Sequence, residues 1–426
     1  MTWHDQYEAG RIIVFTETFP YGTGEHFLLA ELPYLRDAFA KVIIVPCREV
    51  CGVPRNIPEG IEVDIELTRM KRVNILSSLS AKRICRIGKY LIPEIVQQLN
   101  KNKFWRRRVK AKAYFKDAER TLRWLRHLFE NYKLSGKNTL VYTYWYHTPT
   151  FGVLLYRDES KKPFNIVTRG HGFDIYEERH DPAYIPFRAT MMRMIDNVFP
   201  VSGNGSRYLK KKYPSTKDKI ITHHLGVENP GFSALPSSSN SINIVTCASL
   251  VQVKRFSLFI EGLTCFALRN KDVTISWNQF GDGPLSKELR SQASLLPGNV
   301  NYKFNGYQPN IEIFKYYSSH KVDVFVNVSE SEGIPVSIME AQSVGIPVVA
   351  TAVGGVPEII DDKNGVLIDK NCRANDIAAA IEKICFSGSS LYLYRKNSKK
   401  RWRSCFSAKN NYSFFCESLK RFFLEL

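Results

Sequence analysis

What most restricts this chain is a rhythm that occurs twice. Short β-branched and apolar runs, Ile12–Thr16, Val42–Pro46, Leu140–Thr143, Ile166–Arg169 and Val198–Ser202, alternate with stretches of helical pattern. After a Pro/Ser-rich stretch, Pro230–Asn240, the alternation resumes with Ile242–Ala248, Thr274–Phe280, Val322–Val328, Pro347–Thr351 and Val366–Ile368. Runs without polar interruption suit strands buried on both faces, and strands separated by helices must pair in parallel. The expectation is an α/β chain with one domain over 1–228, a linker over 229–241, a second domain over 242–391 and closing helices over 392–426. The 426 residues are enough for two domains with substantial cores.

Composition excludes several classes. An apolar share of 44% and a charged share of 24% are those of a globular protein, not of a disordered or collagenous one. No apolar run reaches 18 residues, so no membrane-spanning helix is expected. The first residues, Met-Thr-Trp-His-Asp-Gln-Tyr-Glu, offer neither a basic n-region nor an apolar h-region, so no secretory leader and a cytoplasmic location are expected. Nine scattered cysteines show no paired zinc-ligand spacing and read as reduced, structural thiols.

The formal charge of +19 calls for an anionic partner, and it is concentrated. Between Leu67 and His127 there are 18 Lys or Arg against Glu94, Asp117 and Glu119. Leu91, Ile92, Ile95, Val96 and Leu99 fall there at helical spacing, and Phe104, Trp105, Tyr114, Phe115, Trp124, Leu125 and Phe129 are interleaved with the cations. A basic amphipathic surface with exposed aromatics fits an anionic membrane. The plain alternative is a solvated helix face with its aromatics in the core.

The chemistry concentrates in Ser329-Glu330-Ser331-Glu332-Gly333-Ile334-Pro335-Val336-Ser337-Ile338-Met339-Glu340. It follows an apolar run, and Pro335 favours the first helical position, which places Glu332 in the loop before the helix. The N–H groups of Val336 and Ser337 would then face a diphosphate at the positive helix end. Glu332 and Glu340, eight residues apart, could hydrogen-bond two sets of sugar hydroxyls, one on a hexose and one on a ribose. Gly354-Gly355 is a second flexible loop before a helix start, and Gly22-Thr23-Gly24 a third, after the first strand.

These elements, with Gly345-Ile346-Pro347-Val348-Val349-Ala350-Thr351, closely resemble the Glu-x7-Glu region of the retaining family 4 glycosyltransferases. The resemblance extends to Ala248-Ser249-Leu250, Lys254-Arg255, Gly281-Asp282-Gly283, Asn305-Gly306-Tyr307 and Gly170-His171-Gly172-Phe173-Asp174, and covers most of residues 165–370. It implies the GT-B fold, two facing Rossmann-like domains with a C-terminal helix crossing back to the first. The second domain would hold a nucleotide-diphosphate sugar and the first an acceptor. By resemblance, Glu332 holds the transferred sugar, Glu340 the ribose, Lys254 and Arg255 the diphosphate, and His171 the sugar near the reaction centre. Gly22, Gly24, Ser249, Gly333, Ile334, Pro335 and Val336 complete the donor site. Ser249 stands where many relatives have an arginine, which leaves charge compensation to Lys254 or Arg255.

The resulting expectation is a retaining hexosyltransferase with front-face attack, using no metal and no cofactor beyond its donor. Its partners would be a nucleotide sugar, a lipid-linked or glycan acceptor and an anionic membrane surface, with no nucleic acid. Two rivals share some of the features. A nucleotide-sugar epimerase or hydrolase would use the same phosphate contacts, and a nucleic-acid-binding protein would use the basic aromatic segment.

Overall fold

The computed structural model describes residues 10–22, 24–71, 80–131, 138–238 and 240–424. The leader expectation at the N-terminus, Thr23, residues 72–79 of the basic segment and residue 239 of the linker lie outside them. The chain forms two compact units, residues 1–223 with 412–426, and residues 224–411.

The first unit is built on six parallel strands, Arg11–Thr16 (β1), Lys41–Pro46 (β2), Ile61–Val63 (β3), Thr139–Thr143 (β4), Asn165–Gly170 (β5) and Asn197–Pro200 (β6), in the order β3-β2-β1-β4-β5-β6. Ile12 stands opposite Val42 on one side and Leu140 on the other. Successive side chains leave opposite faces of a strand. Ile13 and Phe15 therefore join one core with Phe115, Trp124 and Phe151, while Ile12 and Val14 join another with Phe199, Phe415 and Leu419. Both faces are covered, which is why β1 reads as an unbroken apolar run.

The second unit repeats the plan. Ser241–Cys247 (β7), Thr274–Phe280 (β8), Val300–Phe304 (β9), Val324–Asn327 (β10), Val348–Thr351 (β11) and Gly365–Ile368 (β12) form a parallel sheet in the order β12-β11-β10-β7-β8-β9. Ile244, Val324, Val326 and Val349 pack with Phe259 and Leu263 of the helix Phe256–Arg269 and with Ile377 and Ile381 of the helix Ala374–Cys385. In each sheet the order reverses beside the first strand, between β1 and β4 and between β7 and β10. In open α/β sheets the crevice for a ligand opens at that reversal, outside the carboxyl ends of the strands.

Two helices close the chain. Ser390–Cys405 belongs to the second unit, where the Trp402 indole donates to the Val227 carbonyl at 3.1 Å. From Tyr412 onward the helix Ala408–Leu424 belongs to the first. There Arg169, fully buried, pairs with Glu31 at 3.1 Å, donates to the Tyr142 hydroxyl at 2.8 Å and lies 3.9 Å from the centre of the Phe415 ring.

For most of its aromatics the basic segment follows the plainer of its two readings. Phe115, Trp124, Leu125 and Phe129, on the helix Phe104–Asn131, are core residues, with the Trp124 ring 5.4 Å from that of Phe15 in an edge contact. These aromatics therefore do not form an exposed surface, because the long helix covers one face of the β1 sheet and turns them inward. Its arginines are also engaged: Arg83 and Arg86 pair with Glu119, and Arg86 and Arg126 with Glu159. Trp105 stays exposed, as do Ile92, Val96 and Leu99.

Candidate active site

At the reversal point of the second sheet, the loops after β7 and β10 meet. Lys254, seven residues after the end of β7 at Cys247, donates from Nζ to Glu332 Oε1 at 2.6 Å. Glu332 is buried, and Asn327, the last residue of β10, donates to the same oxygen at 3.3 Å. Burial alone would push the Glu332 carboxyl up, but the Lys254 ammonium and its hydrogen bond hold it below the usual carboxylate range. The result is a preformed, ionised pair, with the lysine about one-fifth exposed.

The loop that carries Glu332 is braced from behind. Gly354 has φ +53°, and a Cβ there would lie 1.9 Å from the Glu332 carbonyl oxygen, so no side chain fits. The next N–H, of Gly355, donates to the Gly333 carbonyl at 2.7 Å. This close backbone approach accounts for the Gly-Gly pair. The helix that follows Gly355, Val356–Ile359, has only four residues.

The helix after Glu332 runs Val336–Ser343, with Pro335 as its N-cap at φ −76° and ψ 111°. It thus starts one residue later than Pro335. Pro335 has no side-chain oxygen to cap the first turn, so the leading N–H groups, of Val336 and Ser337, have no intrahelical acceptor. Glu340, on that helix, is buried, and Asn310 donates to its Oε1 at 2.6 Å. Burial dominates there: with no cation beside it, the Glu340 carboxyl is pushed up to about 7. Two acids of one motif are thereby pushed in opposite directions, Glu332 lowered by its lysine and Glu340 raised by burial.

Arg255 behaves differently from its neighbour. It sits at φ 51°, and its guanidinium donates to the carbonyls of Val328 at 2.7 Å, Lys370 at 2.7 Å and Ser329 at 3.3 Å. These bonds tie down the end of β10. Of the adjacent cations that sequence assigned to a diphosphate, only Lys254 points its charge at Glu332. Ser249 is exposed in the same loop, and Gly333, Ile334 and Pro335 bridge Glu332 to the helix start.

The remaining candidates belong to the first unit, around its own reversal point. His171 follows β5 and is buried, with its ring 4.9 Å from Tyr144, 4.3 Å from Trp145 and 5.7 Å from Phe27. Neither ring nitrogen has a hydrogen-bond partner, and Nδ1 is 3.8 Å from Asp174 Oδ2. Gly22 adopts φ +67° and Gly24 is exposed. Glu25, which sequence reasoning passed over, organises this region. Its carboxylate accepts from the N–H groups of Glu17, Thr18 and Phe19 at 2.8, 2.9 and 2.9 Å and from the Trp145 indole at 2.7 Å. Asn327 and Asn310 were also missed. A polar residue closing a wholly apolar strand, as Asn327 does, was the available signal. Among the described residues, no group of three His, Cys, Asp or Glu could hold a metal ion.

Comparison with known proteins bears on this geometry. Residues 232–401 match the family model of the glycosyl transferases, group 1. The putative colanic acid biosynthesis glycosyltransferase WcaL of Escherichia coli K12 is 30% identical over 213 residues, 48% of this chain and 52% of that protein. The chain thus spans about half the length of the curated relatives it matches. Among solved structures, sucrose-phosphate synthase of Thermosynechococcus elongatus superposes with a TM-score of 0.69 at 15% identity, over 98% of this chain and 100% of that one. HepE of Anabaena, in complex with UDP and glucose, gives 0.62 at 14% identity over 97% and 100%.

The fold is GT-B. The group 1 match falls on the unit that carries the Lys254–Glu332 pair, and the likeness to whole GT-B structures covers both units.

Proposed function

We propose that this chain is a retaining hexosyltransferase that moves a sugar from a nucleotide-diphosphate donor to a lipid-linked glycan, at the cytoplasmic face of a membrane, in cell-surface polysaccharide assembly. The observation that carries this reading is the pair of half-buried Lys254 and buried Glu332 at the mouth of the second sheet, beside the uncapped start of Val336–Ser343. The family match of that unit and the polysaccharide role in its relative's name support it.

In this reading Glu332 accepts hydrogen bonds from hydroxyls of the transferred sugar, and the N–H groups of Val336 and Ser337 take the diphosphate. Lys254 offsets the charge that grows on the leaving diphosphate, a fixed cation requiring no reorganisation. The leaving oxygen accepts the acceptor's proton on the same face, so the anomeric configuration is retained. Charge compensation by lysine and helix amides makes a catalytic metal unnecessary. His171, in its aromatic surround in the first unit, keeps in this reading the sugar-contacting role that the family resemblance gives it.

Screening nucleotide sugars for thermal protection is the direct test, since a ligand at one hundred times its Kd stabilises the folded state by about 2.7 kcal/mol. One or a few donors should raise the melting temperature, and release of nucleoside diphosphate should depend on added acceptor. Release without acceptor would favour the hydrolase or epimerase, and no protection by any donor would remove the reading altogether.

Glu340 supplies a pH signature. Its folded pKa of about 7 lies above the unfolded value of 4.5, so its contribution to stability is fully present below about pH 4.5 and is lost as pH rises through 7. The loss amounts to about 3 kcal/mol, which Glu340→Gln should remove when urea melts at pH 5 and pH 8 are compared. Ribose hydroxyls favour the ionised carboxylate. Nucleotide binding should therefore tighten between pH 6 and pH 8 in the wild type, and stay flat in Glu340→Gln if titrated by calorimetry.

A further inference from the structure

One helical segment of the first unit carries apolar side chains on two sides, one packed in the core and one exposed. Residues 81–96 run as a helix Ala81–Arg86, a π-turn Ile87–Leu91 and a helix Ile92–Val96. A helix on a protein in water turns its apolar stripe to the core and its charges outward. Here Arg83, Glu94 and Gln98 face inward, at 4%, 7% and 8% exposure. Each has a partner: Arg83 meets Glu119 at 2.7 Å, Glu94 accepts from the Tyr184 hydroxyl and the Phe187 N–H, and Gln98 accepts from Arg107 at 3.2 Å. While Tyr90, Leu91, Ile87 and Ile95 pack into the core, a second set of aliphatic residues faces out. Ile84, Ile92, Val96 and Leu99 are 53 to 55% exposed, and with exposed Gly88 they recur every three or four residues, along one face. The π-turn, with its longer repeat, helps to keep the four-residue steps aligned.

The surface continues past the next turn. Trp105 and Val109, four residues apart at the start of Phe104–Asn131, are 67% and 66% exposed, and the Arg108 guanidinium lies 5.1 Å from the Trp105 ring centre. Between residues 81 and 112 the chain carries eleven Lys or Arg and one acid, Glu94, which is buried. Other segments supply acids to six of these cations: Arg83 and Arg86 meet Glu119 and Glu159, Lys82 lies 3.9 Å from Glu159, Lys89 meets Asp158 at 2.7 Å, and Lys103 and Arg106 meet Asp181 at 2.5 and 2.8 Å. The outward face therefore joins exposed aliphatics and a tryptophan to Lys101, Arg107, Arg108, Lys110 and Lys112, which have no ion pair among the described residues.

We propose that residues 81–109 are the seat by which the protein lies on an anionic phospholipid bilayer, with Ile84, Ile92, Val96, Leu99, Trp105 and Val109 entering the headgroup boundary. Charge selects this occupant. A second copy would bring the same cations against themselves, and a nucleic acid would neutralise the cations while leaving the aliphatic stripe in water. A bilayer with acidic headgroups satisfies both, the acyl region taking the stripe and the phosphates the flanking Lys and Arg. For its purpose, the proposal rests on the reading of a lipid-linked acceptor, while its geometry is independent of the donor site.

The test uses the full chain in flotation with vesicles of phosphatidylglycerol and phosphatidylethanolamine, and with vesicles of phosphatidylcholine alone. Binding should be at least tenfold stronger to the anionic vesicles. The triple variant Ile92→Ser, Val96→Ser, Leu99→Ser should lower that binding more than tenfold, and Trp105→Ala severalfold. Because these side chains are exposed, both variants should keep the wild-type melting temperature and its protection by nucleotide sugars, as well as transfer to a water-soluble acceptor. Equal binding of wild type and triple variant overturns the proposal, as does wild-type binding that ignores lipid charge. A wild-type dimer in sedimentation velocity that the triple variant makes monomeric would give the face to a second copy instead. Loss of vesicle binding with donor protection intact, or the reverse, separates this proposal from the reading of the active site.

Discussion

Glu332→Gln is expected to lower sugar transfer about a thousandfold, equivalent to about 4 kcal/mol of transition-state stabilisation. Glutamine keeps the volume of the side chain and can still accept from Asn327. It cannot return the charge that draws both Lys254 and a sugar hydroxyl, and charge-assisted hydrogen bonds are roughly twice as strong as neutral ones. Lys254 keeps partial access to solvent, so its lost partner should cost no more than about 1 to 2 kcal/mol of stability. The measurement is kcat/KM for donor turnover beside a melting curve. Turnover within tenfold of the wild type in a well-folded variant would contradict the assignment.

Lys254→Met removes two functions at once. The cation facing the leaving diphosphate disappears, for an expected loss of about a hundredfold to a thousandfold in kcat. Glu332 also remains buried without its counter-charge, for which about 3 kcal/mol of destabilisation is expected. The pH dependence identifies the cause. In the wild type, Lys254 keeps the Glu332 carboxyl low, so the pair's contribution is present above the unfolded pKa of about 4.5 and fades as pH falls through the lower folded value. Without the lysine, burial dominates and raises that carboxyl, so the variant's deficit should grow as pH rises from 4 to 7. Adding Glu332→Gln to Lys254→Met should recover much of the stability but none of the transfer. A deficit that is the same at pH 4 and pH 7 would place the damage in packing rather than in the stranded charge.

The parts of the fold that sequence exposed are those where burial acts on consecutive residues. Strands β1, β2, β4, β7, β8 and β11 lie inside their sheets, and their apolar runs showed them. Strands β3 and β9 are edge strands: Ile61–Val63 is short, and in Val300–Phe304 the residues Asn301, Tyr302 and Lys303 are exposed, so neither left an apolar run to read. The loop around Glu332 was legible because proline, glycine and two acids coincide after a strand. Partners were not. That Lys254 meets Glu332 across 78 positions, that Arg255 turns to three carbonyls and that Asn310 holds Glu340 all depend on where distant loops come together. Along Phe104–Asn131, regularly placed cations resembled a solvated or membrane-facing surface, while the helix carried Phe115, Trp124 and Phe129 into the core and its buried Glu119 to Arg83 and Arg86. The charge count alone could not tell paired arginines from free ones.

The last helix of the described chain has a consequence for how the protein is made. Phe415 and Leu419 join the core behind β1, and the Phe415 ring lies 3.9 Å from the Arg169 guanidinium of the buried Arg169–Glu31 pair. The first unit therefore completes its packing only with residues that follow the second unit in the chain. During synthesis, that face of its sheet gains Phe415 and Leu419 only after residues 224–411 have been made, so the last step in its maturation comes after the second unit is synthesised.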